Sequence, residues 1–348
     1  MESSTTIIVF TASGRGAPPV PDPAAIRRAL LAWYRRSARA LPWRATRDPY
    51  RIWVSEIMLQ QTRVAAVVPY YRRFLHAFPN VKRLAEASEH ELLRLWAGLG
   101  YYQRARNMHR AAQRIVALGR FPREYDSIRA LPGVGDYTAA AVASIAFNLP
   151  YAVLDGNVRR VLARLLAEKR DVRSAAGRAR LQRTAEALLD PKRPGDFNQA
   201  LMELGATVCL PRNPRCEHCP LAAWCQARRR GVASRIPARR RGPRPQPSER
   251  TLLLVERNGA LLLKRRPAAG QLQGFFELPE PDDLPAARLG PQLGRFRHCI
   301  TNRRYLISVR SARSVLPEGP FVWVPECDLH RLPLTTATRK ALALRSKR

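Results

Sequence analysis

Four cysteines within one short loop form the most specific chemical pattern in the sequence. Cys209, Cys216, Cys219 and Cys225 follow the spacing C-x6-C-x2-C-x5-C within 17 residues. Thiolates this dense act as metal ligands in a reducing compartment. Zinc is one alternative, but four-cysteine zinc sites usually use two close pairs, and here only Cys216 and Cys219 are close. Four thiolates on one short loop suit a 4Fe–4S cluster, for which we expect a structural role.

A lone carboxylate, Glu56, lies in the stretch "YRIWVSEIMLQQT" among apolar residues. Partial burial and a raised pKa are expected for a carboxyl in such surroundings. A carboxyl that stays protonated near neutral pH can act as a general acid. The alternative is that Glu56 lies on the polar face of a helix beside Gln60.

A second carboxylate, Asp155, precedes a helical pattern in "VLDGNVRRVLARLL". Asp155 and Asn157 are good helix caps, so simple capping is one interpretation. The functional interpretation is a carboxylate whose pKa is lowered by helix N–H groups, which keep it ionised. One protonated and one ionised carboxyl are the pair that glycosidic-bond cleavage requires.

The stretch "LPGVGDYTAAAV" places two glycines before a strongly helical segment. Gly133, Val134 and Gly135 predict a sharp turn whose backbone N–H groups bind phosphate. A dinucleotide-binding fingerprint is excluded because Thr138 stands where the third glycine belongs and no strand precedes the turn. A helix, a Gly-rich hairpin and a helix together grip a DNA backbone without reading its sequence. A plain helix-turn-helix corner remains the alternative.

The charge balance also indicates a polyanionic partner. The 348 residues include 61 Lys and Arg against 27 Asp and Glu, a formal charge of +34. Nucleic acid is the first candidate. A membrane surface is the rival, but no apolar run approaches the roughly 20 residues of a spanning helix. The first residues lack a secretory signal, so a cytoplasmic protein is expected.

Composition and periodicity divide the chain into four segments. Residues 1–21 predict a disordered tail, and residues 22–227 predict an all-helical domain containing the cysteine loop, residues 209–225. The Arg- and Pro-rich residues 228–250 predict a linker. Residues 251–348 predict a β-rich second domain.

Turn and strand signals organise the second domain. "TLLLVERNGALLLKRR" predicts a hairpin that turns at Asn258-Gly259. "RRYLISVR" and "GPFVWVP" predict further strands, and Thr338 to Leu344 predict a helical ending.

Several long motifs in the right order carry a family resemblance. They are "LPWRATRDPYRIWVSEIMLQQTRV", "WAGLGYYQRARN", "LPGVGDYTAAAVASIAF", "LDGNVRRVLARLL", "FNQALMELGATVC" and the cysteine loop. Together they resemble the adenine DNA glycosylase (MutY) branch of the endonuclease III superfamily, from about Ala24 to Gln226. The resemblance implies a mainly α helix-hairpin-helix domain with a 4Fe–4S cluster. It also implies base excision repair of adenine mispaired with 8-oxoguanine or guanine in double-stranded DNA.

The resemblance assigns roles to the catalytic candidates. Glu56 resembles the acid that protonates adenine N7, Asp155 the carboxylate that stabilises the oxocarbenium ion, and Asn157 a residue that orients them. Endonuclease III-like lyases carry a lysine at the position of Tyr137, and that lysine forms a Schiff base with the sugar. Tyrosine has no such amine, so the resemblance implies a monofunctional glycosylase whose tyrosine hydroxyl bonds a catalytic carboxylate or an intermediate.

The resemblance also implies the DNA contacts. Gln61 and Thr62 would face the oxidised guanine, and Tyr101 would wedge beside it when adenine is flipped out of the duplex. The adenine pocket and the phosphate turn complete the set of binding candidates: Arg39, Leu41, Trp43 and Gln199 for the pocket, and Gly133, Val134 and Gly135 for the phosphate.

The second domain resembles the α+β Nudix-like module at the C-terminus of the same family. The acidic Nudix box, G-x5-E-x7-R-E-x2-E-E, is absent, so pyrophosphate hydrolysis is not expected. Recognition of the oxidised base by Thr301 and Asn302 is the prediction. Ile300, Thr301 and Asn302 stand where many members have a Phe-Ser-His loop, and an edge-strand structural hairpin is the alternative.

The sequence therefore predicts a monomeric, nucleoid-associated DNA glycosylase. A bifunctional lyase is the rival enzyme, and it is opposed by Tyr137. A non-catalytic, basic, metal-stapled nucleic-acid binding module is the rival of a different class, and it is opposed by the pair Glu56 and Asp155.

Overall fold

The computed structural model of the protein describes residues 22–238, 247–267, 272–300, 303–313 and 319–345. It divides into two compact units, each assembled from two separate parts of the chain. The first unit contains Met1–Arg39 and Ala143–Arg239, and the second contains Ala40–Val142 and Arg240–Arg348. The predicted tail, residues 1–21, lies outside the described residues.

Helices make up most of the chain up to residue 229. In chain order the α-helices of the described residues are α1 Pro23–Ser37, α2 Pro49–Leu59, α3 Val64–Ala77, α4 Val81–Ala85, α5 Glu89–Trp96, α6 Gln103–Ala117, α7 Tyr125–Arg129, α8 Asp136–Phe147, α9 Gly156–Leu165, α10 Ala175–Leu188, α11 Pro194–Thr207, α12 Gln226–Arg229 and α13 Thr336–Arg345. Short 3₁₀ helices lie at Pro42–Arg44, Cys216–His218, Ala233–Arg235, Pro281–Asp283 and Glu326–Arg331. Within the described parts of the chain, no helix is both long and apolar enough to cross a membrane.

In the first unit, α11 packs against both α1 and α9. Helix α1 begins as predicted, because the Asp22 carboxylate accepts hydrogen bonds from the Ala24 and Ala25 N–H groups, each at 3.1 Å. Apolar residues at helical spacing fill the interior: Leu30, Leu162, Leu201 and Leu204 are at most 1 % exposed. Burying such side chains is the main stabilising contribution.

In the second unit, helix α2 packs against α3 and α6. Its centre is buried on every side, since all residues from Ile52 to Met58 are at most 4 % exposed. Aromatic rings form the neighbouring core, where Phe74 meets Phe78 edge-on at 4.9 Å and Trp96 at 6.0 Å between ring centroids. Such aromatic pairs stabilise a core beyond the area that they bury.

The second unit also contains a mixed sheet. Its strands are β1 Pro247–Arg257, β2 Ala260–Arg265, β3 Phe276–Glu277, β4 Arg288–Ile300, β5 Arg303–Arg313 and β6 Phe321–Pro325. The order is β3-β2-β1-β5-β4, with β6 paired to β2, and β1 runs parallel to β5. Helix α13 packs on β4 and β3, and Leu254, Leu263 and Val309 lie in the core between sheet and helix.

The strands agree with the turn signals. Asn258 and Gly259 both have positive φ, 48° and 74°, which joins β1 to β2 in a two-residue hairpin. The predicted linker, residues 228–250, overlaps regular structure at both ends. Ala233 and Ile236 are 9 % and 5 % exposed because they pack in the first unit, and β1 already begins at Pro247.

Candidate active site

The first catalytic candidate, Glu56, lies in the buried centre of α2 and is 4 % exposed. The alternative of an exposed polar face is therefore wrong. The hydroxyl of Tyr137, in the first turn of α8, donates a hydrogen bond of 2.7 Å to Glu56 Oε2. The structure thus brings together two sequence-predicted residues that lie 81 positions apart. The bond fixes the orientation of the carboxyl group.

The second catalytic candidate, Asp155, caps α9 in the first unit. Its Oδ1 accepts a hydrogen bond of 2.6 Å from the Val158 N–H, and its Oδ2 accepts one of 2.9 Å from the Asn157 side-chain amide. Burial raises the pKa of Asp155, although these hydrogen bonds and the charge of Arg160 oppose the rise. The expectation of a lowered pKa is wrong, because the cost of desolvation exceeds the stabilisation by the donors.

Asn157 is itself held from two sides. The close approach of α11 requires Gly205, where an added Cβ would lie 2.6 Å from Asn157 Cβ. Arg160 donates to Asn157 Oδ1 at 2.9 Å, to the Gly205 carbonyl at 2.8 Å and to the Cys209 carbonyl at 2.8 Å. One guanidinium therefore connects the Asp155 cap to the cysteine loop. Sequence reasoning missed Arg160, although its spacing of one turn from Gly156 places it on the capped end of α9.

The four cysteines Cys209, Cys216, Cys219 and Cys225 line one pocket in the first unit. Among the described residues, no three His, Cys, Asp or Glu side chains converge closely enough to hold a single metal ion. Four thiols that line one pocket are a donor set that suits an iron–sulfur cluster. Burial raises the pKa of Cys219 to about 12, and coordination to a metal would deprotonate such a thiol.

A buried guanidinium completes this pocket. Arg164 is 2 % exposed and donates to Cys209 Sγ at 3.3 Å and to the Leu210 carbonyl at 2.7 Å. It also donates to the Ile236 carbonyl at 2.8 Å. A cation beside thiolate ligands offsets their negative charge in a low-dielectric interior. The donor set and its charge therefore fit a four-thiolate iron–sulfur cluster.

The Gly-rich turn lies between α7 and α8. Gly133 has φ of 75°, and an added Cβ there would lie 2.6 Å from Asn107 Cβ, so only glycine fits. Gly135 has ordinary φ and open space around it, so only one of the two predicted glycines makes the sharp turn. Val134 is buried, while both glycines are exposed. The Val134 N–H donates to the Leu131 carbonyl at 3.1 Å, so the two exposed glycines are the better candidates for contact with an anion at this helix start.

The residues predicted to face the base opposite the adenine lie on two turns, each of which contains a residue with positive φ. Gln61 and Tyr101 both have positive φ, 57° and 51°, and both are exposed. Thr62 is half-buried beside Gln61. A residue that sequence reasoning missed, Arg104, contacts both turns: it donates to Thr62 Oγ1 at 3.3 Å and to the Gly100 carbonyl at 3.1 Å.

The residues predicted to form the adenine pocket divide between the two units. In the first unit, Arg39 forms two 2.7 Å hydrogen bonds with Glu203, a carboxylate that is fully buried. The hydrogen bond that the Arg39 side chain donates to Glu203 is the main reason that the pKa of Arg39 is raised. Glu203 was not predicted, although an acidic residue on the apolar side of "FNQALMELGATVC" is a signal of a buried partner. Gln199 is half-buried on the same helix, α11.

In the second unit, Leu41 precedes the 3₁₀ helix that contains Trp43. Trp43 is 6 % exposed and meets the Tyr71 ring edge-on at 5.3 Å. The two predicted recognition residues of the second domain, Thr301 and Asn302, lie outside the described residues, between β4 and β5.

Two acidic residues in the segment that lacks the Nudix box form ion pairs with basic residues of the sheet. Glu280 forms an ion pair with Arg250, and Asp283 forms one with Lys264. The hydrogen bond with Glu280 is the main reason that the pKa of Arg250 is raised.

Three family models match the chain. Residues 54–190 match the HhH-GPD superfamily of base excision DNA repair proteins, and residues 209–225 match the iron–sulfur binding domain of endonuclease III. Residues 250–344 match the NUDIX domain. The predicted fold class, a helix-hairpin-helix glycosylase domain with a 4Fe–4S loop followed by a Nudix-like α+β domain, is confirmed.

Similar proteins are found along most of the chain. The adenine DNA glycosylase of Mus musculus is 40 % identical over 409 residues, covering 93 % of this chain and 78 % of that protein. The adenine DNA glycosylase of Homo sapiens is 36 % identical over 405 residues, covering 92 % and 74 %. The solved structure of a thermostable thymine-DNA glycosylase is 31 % identical, with a TM-score of 0.55, and covers 60 % of this chain and 97 % of its own.

Proposed function

Because this chain belongs to the adenine DNA glycosylase family, we propose that it releases adenine mispaired with 8-oxoguanine or guanine without cutting the DNA strand. As a DNA glycosylase it is a hydrolase of N-glycosyl bonds and carries a 4Fe–4S cluster.

The hydrogen bond between Tyr137 and Glu56 is the observation that carries the proposal. It supports Glu56 as the general acid, because a buried carboxyl of fixed orientation can deliver its proton to adenine N7. Protonation turns adenine into a neutral leaving group. The N-glycosidic bond then breaks with its electron pair on the base, leaving an oxocarbenium ion on the sugar.

Asp155 is the candidate for stabilising that cation. Its carboxylate is held by the Val158 N–H and the Asn157 amide, so it needs no reorganisation when positive charge develops at the sugar. Because burial raises its pKa, its ionised form gains more from a nearby cation than a solvated carboxylate would. Water then adds to the sugar carbon and releases one proton, which restores the protonation of the site.

Tyr137 supports the monofunctional assignment. Strand cleavage by a lyase needs an amine that forms a Schiff base with the sugar, and a phenol does not provide one. The hydroxyl of Tyr137 is instead used as a hydrogen-bond donor to Glu56. The product of the proposed reaction is therefore an intact strand with an abasic site.

Four thiolates would hold the cluster, those of Cys209, Cys216, Cys219 and Cys225, and the bound cluster would supply a covalent cross-link of this loop. Arg160 and Arg164 connect the loop to α9, whose first turn carries Asp155 and Asn157. This placement supports a structural role, since it fixes the backbone that caps the catalytic carboxylate.

The partner base is proposed to be read by both parts of the chain. Gln61, Thr62 and Tyr101 are proposed to face it within the helical part, and Thr301 and Asn302 within the Nudix-like part. The ion pairs of Glu280 and Asp283 support a reading role instead of hydrolysis, because carboxylates bound to Arg250 and Lys264 are poor magnesium ligands.

The proposed partner is double-stranded DNA bound by a monomer in the cytoplasm, associated with the nucleoid. The formal charge of +34 and the exposed turn at Gly133 and Gly135 support extensive phosphate contact. Arg39, Leu41, Trp43 and Gln199 are proposed to form the adenine pocket.

The deciding experiment is base release from a duplex with one A:8-oxoguanine pair, analysed with and without alkali. We expect strand breaks only after alkali, and a slower reaction with an A:G pair. Glu56→Gln is the matched variant, since it keeps the size of the side chain and a hydrogen-bond acceptor for Tyr137 but cannot donate an acidic proton.

Breaks without alkali would identify a lyase and refute the monofunctional assignment. Tight binding of the duplex with no product under either condition would indicate a non-catalytic nucleic-acid binding module instead. Release of adenine by Glu56→Gln at the wild-type rate would remove Glu56 from the mechanism.

A further inference from the structure

Among the non-glycine residues of the second unit that adopt the left-handed backbone region, Gln61 and Tyr101 lie on two turns that share a side-chain contact. Gln61 lies between α2 and α3, and Tyr101 lies between α5 and α6. A side chain with a Cβ adopts this conformation only where the surroundings enforce it, and such strained residues concentrate at functional sites. Some part of the structure must therefore hold both turns.

The guanidinium of Arg104 contacts both turns at once. Its Nη1 donates to the carbonyl oxygens at the end of α2, those of Ile57 at 2.8 Å and Gln60. Its Nη2 donates to Thr62 Oγ1 at 3.3 Å and to the Gly100 carbonyl at 3.1 Å. Of these bonded residues, Gln60 and Thr62 flank Gln61 in the chain, and Gly100 directly precedes Tyr101.

Aromatic rings enclose the same guanidinium. Its central carbon lies 5.5 Å from the Trp96 ring centroid and 5.4 Å from the Tyr101 ring centroid. The Trp96 indole N–H also donates to the Gly100 carbonyl at 3.1 Å. Burial lowers the pKa of Arg104 to about 10, which still leaves it a cation at neutral pH.

We propose that Arg104 is a positioning residue that holds Gln61 and Tyr101 in the geometry that meets the base opposite the adenine. The inference rests on the proposed function, which places these two side chains at the partner base. Arg104 acts through them and itself has no direct role in the chemistry. A planar fork with several donors is required, because a lysine ammonium at this position cannot bond both turns and lie flat against two rings.

Arg104→Lys tests this proposal, and Arg94→Lys is the matched control on the exposed surface of α5. Hydrogen exchange is measured first on the free protein. We expect the amides of residues 60–62 and 99–102 to exchange about tenfold faster in Arg104→Lys, while those of α8 remain unchanged. This measurement uses no DNA, so it tests the contact with the two turns even if the proposed function fails.

Binding and catalysis are measured next on duplexes with adenine opposite 8-oxoguanine or guanine. We expect Arg104→Lys to weaken the preference for the 8-oxoguanine duplex by about tenfold, equivalent to ~1.4 kcal/mol. The single-turnover rate of adenine release at saturation should change by less than about threefold, because the bond between Glu56 and Tyr137 is untouched. A merely structural role would lower the rate and leave the preference intact.

A mutant cycle links the arginine to the two side chains. Tyr101→Ala and Gln61→Ala should each reduce the preference in the wild-type background and reduce it little further in Arg104→Lys. Should Arg104→Lys melt well below the wild type, Trp96→Phe is the second variant. It keeps a ring under the guanidinium but removes the bond to Gly100, so only the exchange of residues 99–102 should rise.

Wild-type exchange rates in both variants would overturn the proposal. Faster exchange with an unchanged preference for 8-oxoguanine would also overturn it, since the turns would then not position a reader of that base. If the wild type releases no adenine from either duplex, the fault lies in the proposed function, and the exchange data alone decide whether Arg104 holds the turns.

Discussion

The hydroxyl of Tyr137 lies 2.7 Å from Glu56 Oε2, so a phenol at the start of α8 donates directly to a buried carboxyl in α2. The contact gives the tyrosine a hydrogen bond that a packing aromatic would not make. A change at Tyr137 therefore alters the surroundings of Glu56, the proposed acid, while Glu56 itself is retained.

Removing the hydroxyl should slow base release. In Tyr137→Phe the ring is retained and one hydrogen bond to a carboxyl is lost, a loss worth roughly 1.5–3 kcal/mol, or about 10- to 160-fold in rate. The measurement is the single-turnover rate of adenine release at saturating enzyme. An unchanged rate would show that the bond does not help orient the acid.

Placing an amine at the same position should create a new reaction. Tyr137→Lys is expected to form a Schiff base with the sugar of abasic DNA, which borohydride converts into a stable protein–DNA adduct. Tyr137→Phe is the control and should give no adduct. A lysine variant that folds, binds abasic DNA and gives no adduct would place the sugar away from α8.

Some parts of this site could be predicted from the sequence and some could not. The cap at Asp155 follows from local spacing, because an N-cap carboxylate and the N–H three residues later always lie close together. The contact between Tyr137 and Glu56 has no local signal. It joins residues 81 positions apart, and only the family resemblance suggested it.

Arg104 shows the limit of sequence patterns most clearly. The chain has 61 basic residues, and no local spacing distinguishes a buried guanidinium from a solvated one. Glu203 has a local signal of burial, but the sequence does not identify its partner Arg39, which lies 164 positions away. The predicted direction of the pKa shift of Asp155 was wrong. The hydrogen-bond donors near Asp155 could be read from the sequence, whereas its degree of burial could not.

The raised pKa of Asp155 predicts a pH-dependent contribution to stability. Its folded-state pKa lies above the unfolded value, so its contribution to stability is fully present below the unfolded pKa and is lost as pH rises through the folded pKa. Asp155→Asn keeps an oxygen for the Val158 N–H, but its NH2 group replaces Oδ2, which accepts from the Asn157 amide. That lost bond destabilises the variant at every pH, so the expected effect is a pH trend: the melting temperature of the variant relative to the wild type should rise from acidic to neutral pH.

The same variant should lose activity. Without the negative charge, adenine release is expected to fall by at least about 100-fold, as for other groups that stabilise transition-state charge. The melting temperature of the variant relative to the wild type should fall as pH falls toward the unfolded pKa. A difference that stays constant between acidic and neutral pH would contradict the pKa direction.

The contact of Arg164 with the cysteine loop predicts an effect on the iron–sulfur cluster that can be measured without an activity assay. Arg164→Gln removes the cation that donates to Cys209 Sγ at 3.3 Å and leaves the thiolate charge uncompensated. We expect less iron per chain and weaker visible absorbance of the purified protein. Arg212→Gln, on the exposed surface of the same loop, is the control and should keep both. Full iron content in Arg164→Gln would show that the thiolates do not need this cation.

The formal charge of +34 predicts a steep dependence of DNA binding on salt. Each neutralised phosphate releases condensed counterions, so the logarithm of the binding constant should fall with the logarithm of salt concentration, with a slope on the order of −5 for about six phosphate contacts. The measurement is binding to an undamaged duplex at several salt concentrations, where only backbone contacts contribute. A duplex with an A:8-oxoguanine pair should bind more tightly with a similar slope, because base-specific contacts add affinity without releasing further counterions. A slope near zero on the undamaged duplex would mean that the excess charge does not face the DNA backbone.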